Sequence, residues 1–511
     1  MNIELVKQIT DTNRWSAIGP ELALACLALA VLALHVLVNP GTRRLLPGMA
    51  VFGQAVLLII VIKDLFATEY NGNAYYFGGM ICQNLLTDGA RVFFLFSSTI
   101  MTGLSVWFMG KHRLPKLEYA HLILVVTAAL MLLLQSNHFV MLFVALETVT
   151  IGFYVMVSYS RKSVFSLEAG VKYLILGALS SGMLLFGIVL LYGTAGTPGF
   201  KGASTDPMHY DLLMEFLYNN PGHPMAIAGV LLVVCGVAFK LGVVPFQIWI
   251  PDVYQGAPTP TTAFLAVASK AAGFMVLINL VLRPFSGMES LLVSLLSAVA
   301  IVTILFGNLA ALPQRNVKRV MGMSGIAHAG YLLAGIVAVY KGVDFAVAAV
   351  IFYLVTYMIG SYAVFAVMMH VSQKDDAAQD YDEYTDLSVR SPFLSGSLVV
   401  GLASLAGVPP LVGFVGKFIL FMALYEAELY ALLAASIVGV VISIYYYFGW
   451  IREAVFRIFK YDDGNNSSDE SIQSLPAVKV PQMVIIGLLV FLAVALGFFQ
   501  GDLGHFIFSE F

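Results

Sequence analysis

About fourteen apolar runs follow one another along this chain, each roughly 20 residues long, the length needed to cross a bilayer as a helix. They lie near 16–38, 46–67, 91–110, 118–135, 138–159, 166–194 and 224–250. The series continues near 260–282, 289–312, 320–340, 344–371, 392–425, 429–450 and 481–503. In hydrocarbon a backbone must satisfy its own hydrogen bonds, so an all-α polytopic membrane protein is expected. Composition agrees: 59% of the 511 residues are hydrophobic and 11% charged, with a mean hydropathy of +0.88. A soluble chain of this size would need far more charge to cover its core. The first run follows a mixed-charge segment without an obvious cleavage site and reads as a retained span. Connections are expected to be short except at 195–223, 371–391 and 453–480; the last contains YDDGNNSSDES and reads as a mobile polar loop.

A formal net charge of −3, no basic patch with interleaved aromatics and no phosphate-cradling glycine loop argue against nucleic-acid binding. Cys26, Cys82 and Cys235 are widely separated in or near apolar runs, so neither a metal site nor a disulfide framework is expected.

Four residues interrupt the apolar runs: Glu147 in LFVALETVTIG, Lys240 in VVCGVAFKLGVVPF, Lys270 in FLAVASKAAGFMV and Lys417 in LVGFVGKFILFM. A charge at bilayer depth costs about 3 kcal/mol or more and usually lies among helices or along a water path. One carboxylate and three amines so placed point to a charge or proton path. The bland alternatives are a protonated acid in a helix interface for Glu147 and a snorkelling amine for Lys240. Lys270, ten residues into its run, is too deep to snorkel comfortably. Lys417 has its own alternative, tying a broken helix to free carbonyls. His328 in GIAHAGYLL can titrate near neutral pH and bridge Lys270 to Lys417, or simply pack. Lys172 and Glu168 are spaced as an i,i+4 pair, either interfacial or modulating the path. Tyr445, Tyr446, Tyr447 and Trp450 read as an interfacial aromatic belt.

Two runs look broken. The seventh meets Pro245 and Pro251 after Lys240, and the twelfth carries Pro409 and Pro410 before Lys417. Paired proline-interrupted segments mark inverted-repeat transporter cores. Five helices separate them, and this odd spacing gives two five-helix units opposite topology: helices 4–8 and helices 9–13. The expected organisation is 1–117 for helices 1–3, 118–283 and 284–452 for the repeats, and 453–511 for a cytoplasmic loop and the last span. Sixteen Lys and Arg, Lys318 among them, fall on one side of the fourteen-span topology and seven, Arg91 among them, on the other, four lying within spans. This places both termini outside and the 371–391 loop in the cytoplasm.

The stretch FKLGVVPFQIWIPDVYQGAPTPTTAFLAVASKAAGF, residues 239–274, resembles the signature of the antiporter-like membrane subunits of respiratory complex I, the proton-translocating NADH:quinone oxidoreductase. HFVMLFVALE, MSGIAHAGYLL and GVPPLVGFVGKF extend the resemblance over roughly residues 16–503. The PDVYQGAP variant is closer to N-type members than to the L and M types, whose segment reads nearer PDAHVEAP. The M type carries a glutamate in the twelfth helix, where this chain has Lys417. The resemblance implies a proton-translocating membrane-arm subunit in a bacterial inner membrane, where the charge bias puts both termini in the periplasm. It implies no cofactor on this chain, with NADH, FMN, Fe–S clusters and quinone in partner subunits. M-type and small K/J/A-type subunits would be its neighbours. It places the essential glutamate at Glu147, with Lys240 as its partner. A carboxylate moving relative to that amine would change its proton affinity. Lys270 would join the channel halves and Lys417 deliver the proton outward. Asp252 and Tyr254 belong to the signature and are expected mainly to shape the loop after the broken helix. The competing readings are a subunit of a multi-subunit cation/proton antiporter and an assembly or structural subunit. Four deeply placed ionisable residues disfavour the latter.

Overall fold

The computed structural model describes residues 12–39, 42–68, 70, 72–373, 375–455 and 475–499. The loop core YDDGNNSSDES and both termini, on which the mobile-loop and sidedness expectations fall, lie outside the described residues.

Thirteen helices among the described residues are long and apolar enough to cross a membrane. They are α1 (Trp15–Leu37), α2 (Leu46–Ala67), α3 (Leu85–Lys111), α4 (Leu117–Leu134), α5 (Phe139–Val157), α6 (Val164–Ala195) and α7 (Pro224–Gly256). Then come α8 (Thr259–Leu282), α9 (Ser286–Ala311), α10 (Val317–Tyr340), α11 (Ala346–Val371), α13 (Tyr430–Val455) and α14 (Val480–Phe498). The twelfth, α12, consists of two shorter pieces, Pro392–Ala406 and Val412–Glu426. Fourteen helical units result, in the places where the apolar runs predict them.

Helix ends follow local chemistry. The Asn84 side chain accepts from the Thr87 N–H and Thr87 returns the bond, a reciprocal cap for α3. His138 caps α5 and Asn316 caps α10. Proline opens α7, α14 and the first piece of α12, where its missing N–H costs nothing. Both broken helices stop in the same way. Gly242 (φ +69) and Gly407 (φ +84) adopt the left-handed conformation that ends a helix. Each glycine N–H, and that of the valine after it, returns to carbonyls of the preceding turn. A proline stands three residues beyond each glycine. In α7 a short 3-10 turn, Phe246–Trp249, leads to a final helical piece, Ile250–Gly256.

Packing puts the polar sequence inside. The least apolar span, α10, is buried along its whole length, and α8 and α11 nearly so. The faces of α1, α2 and α14 are mostly outward and apolar. Close approach depends on small residues: a Cβ on Gly187 of α6 would lie 2.7 Å from the Gly229 carbonyl of α7. One on Gly307 of α9 would lie 2.4 Å from the Ala327 nitrogen of α10.

The connections sort onto two faces. On one, His138 bridges His209, and Arg283 reaches Asp211 at 2.6 Å. On the other, Asn316 bridges Asp380 and Lys318 reaches Asp376 at 2.9 Å. Two local features depart from expectation. The connection before α3, expected to be short, forms an antiparallel hairpin, β1 (Ala74–Tyr76) and β2 (Ile81–Gln83). The 195–223 connection contains a helix, Tyr210–Asn219, whose apolar face, including Leu213 and Leu217, is buried.

Candidate functional site

Lys240 is on the last turn of the first piece of α7, buried against α5. Its ammonium donates to the Thr150 hydroxyl, which itself donates to the Leu146 carbonyl at 2.6 Å. Glu147 lies one turn before Thr150, and there the Ser181 hydroxyl of α6 donates to its carboxylate. The direct Glu147–Lys240 pair expected from sequence is therefore not formed: neutral hydroxyls stand at both charges. Nor does Lys240 take the carbonyls freed by its helix break. The Phe239 carbonyl accepts from the Gly242 N–H and the Trp249 indole. A small cavity with mostly apolar walls connects Lys240 with Ser269, the residue before Lys270.

Lys270 follows a π-turn, Leu265–Ser269, inside α8. Such turns often re-aim a side chain at functional positions. Its ammonium donates to the Gly325 carbonyl of α10 at 2.7 Å and lies 5.8 Å from the Tyr254 ring centre. Gly325 leaves room for that ammonium: a Cβ there would sit 2.9 Å from it and 3.2 Å from the Tyr357 hydroxyl. Tyr254 is buried on the final helical piece of α7, so this part of the signature is core, not loop.

His328 is on α10, three residues beyond Gly325. It touches neither lysine by hydrogen bond. Its Nδ1 lies 2.7 Å from the Tyr353 hydroxyl of α11 and its Nε2 3.2 Å from the Tyr447 hydroxyl of α13. Tyr447 is also bonded to Ser324. The aromatic-belt expectation is corrected here. Tyr445 is exposed, but Tyr446, Tyr447 and Trp450 are buried, because α13 turns that stripe toward α9 and α10. Trp450 packs on Tyr384 at 5.2 Å.

Lys417 is on the second piece of α12 and reaches back across the break. Its ammonium donates to the carbonyls of Leu405 (2.8 Å) and Ala406 (3.0 Å), and stands 5.6 Å from the Tyr331 ring centre. Lys417 thus forms the bonds to free carbonyls that its alternative reading expects. The two lysines also lie on opposite sides of their breaks. A second small cavity is bounded by His328, Tyr353, Tyr357, Ser404 and Lys417. Among the described residues, none of Lys240, Lys270 and Lys417 forms an ion pair; each ammonium meets neutral oxygen.

Lys172 lies apart from this line and is partly exposed. It pairs with Glu168 (2.7 Å), as its spacing predicts, and with Asp252 (2.6 Å). Asp252 also accepts from Arg319 at 2.9 Å. Asp252 is thus helical and ties the end of α7 to α6 and α10.

Two buried ion pairs escaped sequence reasoning. Lys318, counted as a loop cation, is fully buried and donates to Asp376 and to the Ala257 carbonyl (2.6 Å). Asp376 accepts also from Ser372 and Thr259. Burial alone would raise its carboxyl, but the Lys318 ammonium and these hydroxyls hold it down at about 2. Arg91, counted as an outer cation, is buried with Glu21 of α1 at 2.7 Å and Gln135 at 2.8 Å. Their signal was position: each stands inside its helix, within the first two turns, where a sequence boundary is blurred. Among the described residues no group of three or more His, Cys, Asp or Glu is placed to hold a metal.

Comparison with known proteins fits this geometry. Residues 136–443 match the family model for the NADH:quinone oxidoreductase/Mrp antiporter transmembrane region. NADH-quinone oxidoreductase subunit N 1 of Opitutus terrae is 49% identical over the whole of both chains. Subunit N of Paramagnetospirillum magneticum is 32% identical, covering 91% of this chain and 92% of that one. A chain of respiratory complex I from Thermus thermophilus superposes with a TM-score of 0.76 at 25% identity, covering 95% of this chain and 98% of that one. A chain of the Mrp complex from a Dietzia species shares the fold alone, with a TM-score of 0.79 at 18% identity and 97% of each chain covered. The chain belongs to the NADH:quinone oxidoreductase/Mrp antiporter membrane family, in its subunit N branch.

Proposed function

We propose that this chain is the proton-translocating subunit N of an NADH:quinone oxidoreductase, and that Glu147, Lys240, Lys270, His328 and Lys417 carry its protons. The observation that supports this most directly is the row of buried ionisable groups, with small cavities beside both breaks. One cavity touches Lys240 and Ser269, the residue before Lys270 in α8, and a second holds His328 and Lys417. Each amine meets neutral oxygen, so it can give up its proton without abandoning a buried carboxylate partner. In this reading Glu147 and Lys240 load the first half, and Lys270 passes the proton across the α8–α10 contact. His328 and Lys417 carry it to the second break. Lys172, held by Glu168 and Asp252, acts from the side by positioning the end of α7. NADH, FMN, Fe–S clusters and quinone would reside in partner subunits, which include M-type and small K/J/A-type neighbours. The chain would lie in a bacterial inner membrane with both termini periplasmic. The two similarly capped breaks support an inverted pair of repeats, 118–283 and 284–452.

Inverted membrane vesicles holding the assembled complex test the reading. NADH oxidation should acidify the vesicle lumen, and Lys270→Met should abolish the share of pumping and coupled turnover that runs through this subunit. NADH:ferricyanide activity should stay unchanged. Normal pumping in Lys270→Met and Lys417→Met complexes would refute the reading. Sodium- or potassium-driven proton exchange without NADH would favour an antiporter instead.

A further inference from the structure

Resting on the proton path proposed above, we infer that the Tyr353 hydroxyl is the relay by which His328 hands a proton to the cavity of Lys417. His328 and Lys417 share no hydrogen bond, so the line has a gap between its two best-defined members. Tyr353 fills that gap. Its hydroxyl is 2.7 Å from His328 Nδ1, and the residue lines the same small cavity as Lys417. It is packed in place: a Cβ on Gly416, beside Lys417, would come within 3.1 Å of the Tyr353 ring. A tyrosine hydroxyl both donates and accepts, which lets it pass a proton while staying neutral.

The two nitrogens of His328 differ in what lies beyond them. Behind Nε2 is Tyr447, whose hydroxyl is tied to Ser324 on α10 and lines no face of that cavity. Tyr447 anchors the ring. Behind Nδ1 is Tyr353, facing Lys417, Thr356 and Ser404. The step balances without a co-reactant. The imidazolium Nδ1–H bond breaks as its proton bonds to the Tyr353 oxygen. The original O–H bond of Tyr353 breaks in turn, and its proton goes to the free amine of Lys417, directly or through water in the cavity. Rotation of the hydroxyl then resets the relay.

Tyr353→Phe removes only the oxygen. In assembled complex in vesicles it should slow proton uptake and coupled quinone reduction through this subunit by about tenfold, below the usual range for a full acid–base group because water can partly substitute. The solvent deuterium isotope effect on coupled turnover should rise, which a merely structural lesion would not cause. Tyr362→Phe is the control. Tyr362 is equally buried on α11, but its hydroxyl bonds Ser97 of α3 and it lines no face of the Lys417 cavity. If Tyr353→Phe assembles poorly, turnover per flavin in the residual complex gives the same reading. Wild-type rates, or a loss matched by Tyr362→Phe with an unchanged isotope effect, would overturn the relay. Lys417→Met separates the two levels: if it abolishes pumping while Tyr353→Phe pumps at the wild-type rate, only the relay falls.

Discussion

The Lys417 ammonium lies 2.8 Å from the Leu405 carbonyl, so a cation on one piece of a broken helix closes the open end of the other. The last carbonyls of a helix have no partner within it, and at membrane depth each would be costly to leave bare. Lys417 therefore has a structural duty as well as its proposed place on the proton path.

These duties separate by substitution. Lys417→Arg keeps donors for Leu405 and Ala406 but gives up a proton far less readily. It should assemble normally yet pump at most about a tenth as fast as wild type, on the scale of one acid–base group. Lys417→Met should lose both, with reduced complex levels on native gels. Arginine and methionine variants that both pump near the wild-type rate would remove Lys417 from the path.

At the first break the informative variant is Thr150→Val. It keeps the shape of the side chain but removes the hydroxyl that receives Lys240. Coupled activity should fall by about tenfold to a hundredfold, the cost of one hydrogen bond to a charged group. Lys240→Met and Glu147→Gln should fall further, with peripheral NADH:ferricyanide activity intact. Thr150→Val matching Lys240→Met would instead mean that the hydroxyl itself carries the proton.

Much of this was legible in sequence because bilayer depth is an unforgiving solvent. The apolar runs set the helix count, and the prolines marked both breaks. Glu147, Lys240, Lys270 and Lys417 announced themselves as charges with no lipid-side excuse. What sequence hid was pairing. Whether Lys240 meets Glu147 or Thr150 depends on the rotation of α5 against α7, a few tens of degrees that no residue pattern encodes. Tyr447 was misread because its neighbour Tyr445 does face outward, and tyrosine suits a membrane interface as well as a polar core. Lys318 and Arg91 were hidden by lying near helix starts, where loop and core cations look alike.

The 375–391 segment supplies a pH signature outside the membrane spans. Burial, and then Asp376 and Asp380, push the Glu383 carboxyl up from 4.5 to about 7, against the pull of Lys111 and Arg390. A carboxyl raised on folding stabilises the folded segment fully below its free value of 4.5, and that stability declines as pH rises through 7. Asp376 has the opposite sign: its pairing with Lys318 helps above 3.8 and is lost as pH falls toward 2. Hydrogen exchange of 375–391 in the assembled complex, corrected for intrinsic rates, should therefore quicken from pH 5 to pH 8. Glu383→Gln should flatten that rise, and an unchanged slope would assign it to another group.

Sidedness underlies the direction of every proton step, and exposed positions on the two faces report it. Ser372 is a poor probe despite its place in a connection, because it is fully buried and bonded to Asp376. Thr205, between α6 and α7, and Lys162, between α5 and α6, are both exposed. With the buried Lys318 and Arg91 left out, the bias of fifteen cations against six puts Lys162 inside and Thr205 outside. With Cys26, Cys82 and Cys235 replaced, single cysteines at 162 and 205 can be treated with a membrane-impermeant thiol reagent in right-side-out vesicles. Thr205→Cys should label and Lys162→Cys should label only after permeabilisation. The reverse pattern would invert the chain in the membrane, and with it the proposed direction from Lys240 to Lys417. Equal labelling of both before permeabilisation would contradict the passage of α6 across the bilayer.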